Sequence, residues 1–108
     1  MKRTIECIGN VFNPNAQGNA APFFIEVGDT VVWHNQGNGT HNAVSTGTPR
    51  LPKEVPDFAI NATSIEIGPF TTPTDDHGIK YTCTHHQGMD GVLVVARLGT
   101  NQPLFAKK

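Results

Sequence analysis

A chain of 108 residues with 37% hydrophobic and 16% charged side chains, eleven Gly and eight Pro, bounds one domain, residues 1–108, burying about two-thirds of its unfolded surface. The formal charge of -1, with no Lys/Arg cluster, leaves no electrostatic footprint for nucleic acid or an anionic membrane and argues against both as partners. No apolar run approaches the roughly 20 residues of a membrane span, and Met1-Lys2-Arg3-Thr4 leads into a strand pattern rather than a signal core, so the chain reads as soluble and is compatible with the mature part of an exported precursor.

Residues 3–9 alternate as a first strand with Ile5 and Cys7 on one face, and Cys7 reads as a small buried hydrophobe. A bridge from Cys7 to Cys83 would need an oxidising compartment, and the residues after Cys83 suit a metal better. Asn10 to Gly18 form a loop. Phe23–Val27 and Thr30–His34 then read as two adjacent strands around a Gly28-Asp29 turn. In the second, Val31 and Trp33 share a face, which assigns Trp33 to the core, while His34 on the other face and His77 further on read as solvated.

The polar, glycine-rich stretch Asn35–Thr40 delivers the chain to a strand opening at His41. Pro49, Pro52 and Pro56 exclude a central strand from residues 45–58 and favour a surface excursion or one short helix. Ile60–Ile67 alternates weakly as a further strand. Ile79, Tyr81 and Cys83 fall on one face of the next, so Cys83 points inward. The last strand, Gly91–Leu98, is apolar on both faces at its centre. About seven or eight short strands with turns between them and no helical period give an all-β fold, a Greek-key β-sandwich.

Cys83-Thr84-His85-His86-Gln87-Gly88-Met89 gathers a thiolate, two imidazoles and a thioether at a strand end. Cys83, His86 and Met89 stand at i, i+3 and i+6, a spacing that lets one tight loop wrap its side chains round a single point. The fourth donor must come from the opposite wall, and His41 is the upstream histidine that follows a loop and opens a strand. Soft sulfur with imidazole selects copper, and two His and one Cys with a long axial Met is the donor set of blue-copper electron-transfer sites. His85 is a rival to His86; with His85 bound the spacing becomes C-x-H-x-x-x-M.

These motifs resemble the cupredoxins of the plastocyanin/azurin type, with a short amicyanin-like ligand loop. The resemblance is carried by Cys83-x-x-His86-x-x-Met89, Val27-Gly28-Asp29-Thr30-Val31-Val32-Trp33, His41-Asn42, Tyr81-Thr82-Cys83 and Gly91-Val92-Leu93-Val94-Val95. It covers the chain except residues 10–20 and 45–58. It implies one copper ion cycling between Cu(I) and Cu(II), with Cys83 as thiolate ligand, His41 and His86 as imidazole ligands and Met89 as the weak axial one. Asn42 and Thr84 occupy positions where the family ties its two ligand loops together by hydrogen bonds, which hold the geometry and tune the metal. The chain departs from the pattern at His85, where the family often carries Pro; a free histidine there could bind a second ion or add a pH-sensitive charge.

The resemblance further implies a monomeric electron carrier between redox protein partners, exported to the bacterial periplasm or an equivalent compartment. Electrons would leave through the edge of His86, with Phe12, Pro14, Gly37, Gly39 and Met89 around it as a docking surface. The alternative function is a copper trafficking or storage module using the same ligands, which would favour Cu(I) and stay colourless. A copper enzyme needs a second copper site with further histidines, and His34, His77 and His85 show no such pattern, so the chain reads as no enzyme. A structural zinc site accepts the same Cys and His donors.

Overall fold

The structure, a computed structural model, describes residues 1–97. Leu98, expected to end the last strand, lies outside the described residues. Among the described residues eight strands follow one another without an intervening helix: β1 (Lys2–Ile8), β2 (Val11–Phe12), β3 (Phe23–Glu26), β4 (Thr30–Gln36), β5 (His41–Ser45), β6 (Val55–Phe58), β7 (Ile79–Thr82) and β8 (Asp90–Ala96). They form two sheets, β2-β1-β4 and β3-β8-β7-β5-β6. β1 with β4 and β3 with β8 are parallel, and the remaining pairs are antiparallel.

The alternating faces read from the sequence become the core between the sheets. Ile5, Cys7, Val31 and Trp33 from one sheet meet Ile25, Ala43, Tyr81, Leu93 and Val95 from the other. Tyr81 is the joint: its ring stands edge-on to Phe12 at 4.8 Å and to Trp33 at 5.5 Å, and the Trp33 Nε1–H donates to its hydroxyl at 3.2 Å. The buried phenol thus has the partner such a group requires. Burial pushes its pKa up, as it does that of Cys7, which desolvation, with the Glu6 and Cys83 charges, carries to about 12. Cys7 is a free, buried thiol, and so is Cys83.

Several expectations change. The Gly28-Asp29 turn joins consecutive strands, but β3 and β4 lie in different sheets. Gly28 adopts φ +99 and donates to the Phe70 carbonyl while Val27 still donates to Ala96, so the chain crosses the sandwich there. The left-handed conformation that glycine tolerates makes that crossing possible. Residues 45–58 form no helix; their last part is β6, an edge strand. It pairs only at Val55 with Ala43 and Phe58 with His41, so Pro56, which has no N–H to donate, costs no ladder bond.

The third change is Ile60–Ile67, which is not a strand: single bridges link Thr63 to His34 and Ile67 to Val31. Asn61 turns with φ 67, and the Ser64 hydroxyl accepts the Trp33 N–H at 2.9 Å where a ladder carbonyl would stand. At the Trp33 N–H a side-chain oxygen stands in for a backbone acceptor, while the Trp33 carbonyl still accepts from the Ser64 N–H at 2.8 Å. His34, expected to be solvated, is half-buried and sits 2.8 Å from Glu6.

At the end of the sandwich where β3 gives way to β4, Asp29 is buried and accepts from the Glu26 N–H at 2.9 Å, the Met1 ammonium at 3.0 Å and Arg3 at 3.4 Å. Burial alone would raise its pKa, but these donors together hold it below the ordinary 3.8. A carboxylate depressed in the folded state contributes stability that is complete above the unfolded pKa and is lost as pH falls through the folded one. Asp29→Asn is therefore expected to unfold more easily than wild type at neutral pH, with the gap closing below 3.8. Urea unfolding at a series of pH values measures it, and a gap independent of pH would disprove the ion-pair account.

Candidate metal centre

The two ligand segments arrive at one end of the sandwich because β5 and β7 are sheet neighbours running antiparallel. Val44 pairs with Thr82 and Ser45 with Tyr81, so the start of β5, His41, lies beside the end of β7, where Cys83 follows. Within the described residues one group of three side chains is placed to hold a metal ion: His41, Cys83 and His86, with donor atoms all within 4.8 Å of one another. Nδ1 of His41 lies 3.7 Å and Nδ1 of His86 3.6 Å from Cys83 Sγ. Bonds of about 2.3 Å to a thiolate and about 2.0 Å to an imidazole, opened at a tetrahedral or trigonal angle, put their donors about 3.5–3.7 Å apart. The residues fit a metal ion.

Each donor is held from outside the site. His41 is fully buried, and its Nε2 faces the Gly37 carbonyl at 2.9 Å. A carbonyl only accepts, so Nε2 carries the proton and Nδ1 turns a lone pair to the sulfur. Burial lowers the His41 pKa, outweighing the Gly37 hydrogen bond, with the neighbouring His86 acting in the same direction. The ring is thereby kept in its neutral, metal-binding form. A thiol proton satisfies one imidazole nitrogen, whereas a cation between them satisfies both.

The Cys83–Met89 loop closes on itself. Cys83 N–H and the Thr82 hydroxyl both donate to the Met89 carbonyl, at 2.9 and 3.0 Å, and Met89 N–H donates to the His86 carbonyl at 3.2 Å. Met89 is thus locked beside the cluster, with its side chain buried. Asn42 and Thr84 join the two segments reciprocally: Asn42 Nδ2 donates to Thr84 Oγ1 at 2.7 Å, and Thr84 N–H donates to Asn42 Oδ1 at 2.8 Å. His85 turns away from the cluster and reaches Asp57 Oδ1 on β6 at 2.8 Å.

The surroundings differ from the expected docking surface. Phe12 and Met89 are 0% and 2% exposed and cannot meet a partner. Pro14 and Gly37 are half-buried and Gly39 is exposed. Among the described residues, Ile8, in register with Gln36 just before Gly37, and Ile60, two residues beyond the Phe58 that opposes His41, are large exposed apolar side chains near this end.

Sequence reasoning passed over Asn35 and Asp57. Asn35 is fully buried; its Nδ2 donates to the carbonyls of Gly39 at 2.7 Å and Phe58 at 3.2 Å, and its Oδ1 accepts from the Gly37 N–H at 2.9 Å. An Asn two residues before a Gly at a strand end is a signature of this turn and could have revealed it. Asp57 has no such local signal, being 28 residues from His85.

The eight strands in two sheets, closed at one end by a His-Cys-His cluster, are the architecture of a cupredoxin, the class expected from the motifs. Among solved structures the chain is similar to variants of amicyanin. A Cu(I) methionine-to-glutamine variant superposes with a TM-score of 0.68 at 21% identity, over 87% of this chain and 81% of that one. An oxidised proline-to-alanine variant gives 0.67 at 20% identity over the same shares. No protein-family profile and no curated protein sequence matches the chain. At such identity the likeness establishes the fold, and the site rests on its own residues.

Proposed function

We propose that the protein is a small type 1 copper protein that carries single electrons between redox proteins. Copper would be held by His41, Cys83 and His86 with Met89 as the axial ligand, in a chain that performs no catalysis itself. The observation that carries this reading is the convergence of two imidazole Nδ1 atoms on one buried sulfur at 3.7 and 3.6 Å, with a buried thioether residue on the same loop. That soft set selects copper over hard cations. The copper named for an amicyanin neighbour accords with it.

Bound copper supplies a one-electron Cu(I)/Cu(II) couple. The chain's own contribution is to keep its donors still, because every ligand displacement between oxidation states adds to the barrier for electron transfer. His41 is fixed by Gly37, Cys83 by the β7 ladder and the Met89 carbonyl, and the two segments by Asn42 and Thr84. His86 is the half-exposed member of the group and offers the exit for the electron. Gly39, Ile8 and Ile60 would supply the surface around it. Near-zero net charge implies weak electrostatic steering toward the partner. The reading extends to a monomer working in the periplasm or an equivalent exported setting.

Optical and paramagnetic resonance spectra of the copper-loaded protein test the proposal. The expected result is an intense visible thiolate-to-copper band with a narrow hyperfine splitting and a reversible couple, all lost in Cys83→Ser. A colourless protein that holds only Cu(I) would favour copper trafficking or storage instead. Native protein containing zinc alone would overturn both.

A further inference from the structure

Among the described residues, and apart from the contacts of Cys83 and His86 with His41 inside the cluster, side chains fasten the ligand loop to β5 and β6 at two places. One is the Asn42–Thr84 pair on β5. The other is the 2.8 Å hydrogen bond from the His85 ring to Asp57 on β6. The loop is closed at its base by the 2.9 Å bond from Cys83 N–H to the Met89 carbonyl, but the turn between them is held by longer bonds, with His86 N–H 3.4 Å from the Cys83 carbonyl and Met89 N–H 3.2 Å from that of His86. Thr84, His85, Gln87 and Gly88 are exposed. The His86 ring meets Cys83 Sγ at 3.6 Å and stands edge-on to His41 at 4.9 Å; outside the cluster, the side-chain bond next to it in the chain is the one His85 makes.

Asp57 stands where both ligand segments can be felt. Its chain neighbour Phe58 is in register with His41 across the β5–β6 ladder, and the two rings lie 6.3 Å apart edge-on. Its side chain reaches the residue next to His86. Pro56 before it restricts φ and stiffens the approach. The bond thus ties the segment opposite one imidazole to the segment carrying the other.

We infer that Asp57 is a positioning residue for the ligand loop, holding His85 so that the His86 ring stays turned to Cys83. In this chain the side-chain clamp does the work of a rigid residue at position 85. Both partners are substantially exposed, at 41% and 55%, so the bond adds little to global stability. Its effect falls on the opening of the loop. The inference rests on the proposed reading of Cys83 and His86 as ligands, but its first test needs no metal.

In the metal-free full-length protein at neutral pH, the rate at which iodoacetamide labels Cys83 reports loop opening. Labelling of the buried Cys7, resolved by peptide mass spectrometry, reports global unfolding in the same sample. Asp57→Ala is expected to raise Cys83 labelling roughly three- to fivefold, the change expected from one exposed hydrogen-bonded pair, with Cys7 labelling unchanged. His85→Ala should do the same, and the double variant no more. Asp57→Asn keeps an acceptor for the His85 N–H and should restore the wild-type rate. Unchanged Cys83 labelling in Asp57→Ala, a parallel rise at Cys7, or additive effects of the two substitutions would overturn the clamp. In copper-loaded protein, Asp57→Ala should alter the hyperfine splitting and Asp57→Asn should recover it. Absence of any copper–thiolate spectrum in wild type, with the labelling pattern as expected, would instead remove the metal reading and leave the clamp standing.

Discussion

Substituting alanine for Gly91 is expected to lower stability by about 3 kcal/mol, and the melting temperature by about 15 °C. Gly91 faces Tyr81 across the β7–β8 ladder, and the phenol ring lies flat where a side chain would begin. A Cβ built there would stand 2.5 Å from Tyr81 Cε2 and 2.6 Å from its hydroxyl oxygen. The ring has nowhere to go, being packed edge-on against Phe12 and Trp33 and bonded to the Trp33 indole. Relieving the clash must break that bond or part β7 from β8. Because Tyr81 is two residues before Cys83 and Gly91 two after Met89, either movement also reaches the ligand loop. Thermal unfolding followed by Trp33 fluorescence measures both effects, and pairing Gly91→Ala with Tyr81→Leu should recover part of the loss. A cost below about 1 kcal/mol would show that the ring moves aside freely.

Asn35→Ala should be nearly as damaging, for a polar reason. The side chain holds three backbone groups, and deletion strands the carbonyls of Gly39 and Phe58 and the N–H of Gly37. Buried groups left unpaired cost about 1–3 kcal/mol each; with water reaching the half-buried Gly37 and the exposed Gly39, the sum is about 3 kcal/mol. The same loop presents the Gly37 carbonyl to His41 Nε2. Loosening it frees the His41 ring to rotate, and metal affinity is expected to fall by about ten- to a hundredfold, as when a ligand loses its outer hydrogen-bond partner. Titration with copper, competed by a chelator, reads the affinity, and urea unfolding the stability. A variant that unfolds early yet binds metal as wild type does would separate Asn35 from the site.

The parts of the architecture open to sequence reasoning were those written in periods of two. Ile5 and Cys7, Val31 and Trp33, and Ile79, Tyr81 and Cys83 alternate cleanly, and each set is buried. The clustering of Cys83, His86 and Met89 within seven residues likewise made the metal chemistry legible, since one turn brings such neighbours together whatever the rest of the chain does. Where alternation was weak, the reading went astray. Ile60–Ile67 carries apolar residues at strand spacing, yet Ile60 and Ile65 are exposed, because Asn61 and Ser64 divert the backbone into turns and side-chain bonds. Val55–Phe58, masked by Pro56, became an edge strand because its ladder skips the proline. Phe12, expected at the docking surface, is in the core because β2 folds back on β1 and carries it against Tyr81.

By itself the amino-acid order determined the strand faces, the soft donor set and the loop that carries most of it, for these depend on local spacing and on the chemistry of side chains. Tertiary structure alone decided that β3 and β4 part into different sheets, that it is the β5–β7 pairing that carries His41 to Cys83, and that Asp57 reaches His85. Such pairings join residues 28 to 42 positions apart. They arise only once the buried faces of two sheets have found each other, a balance of packing over the whole core that no short stretch of sequence records.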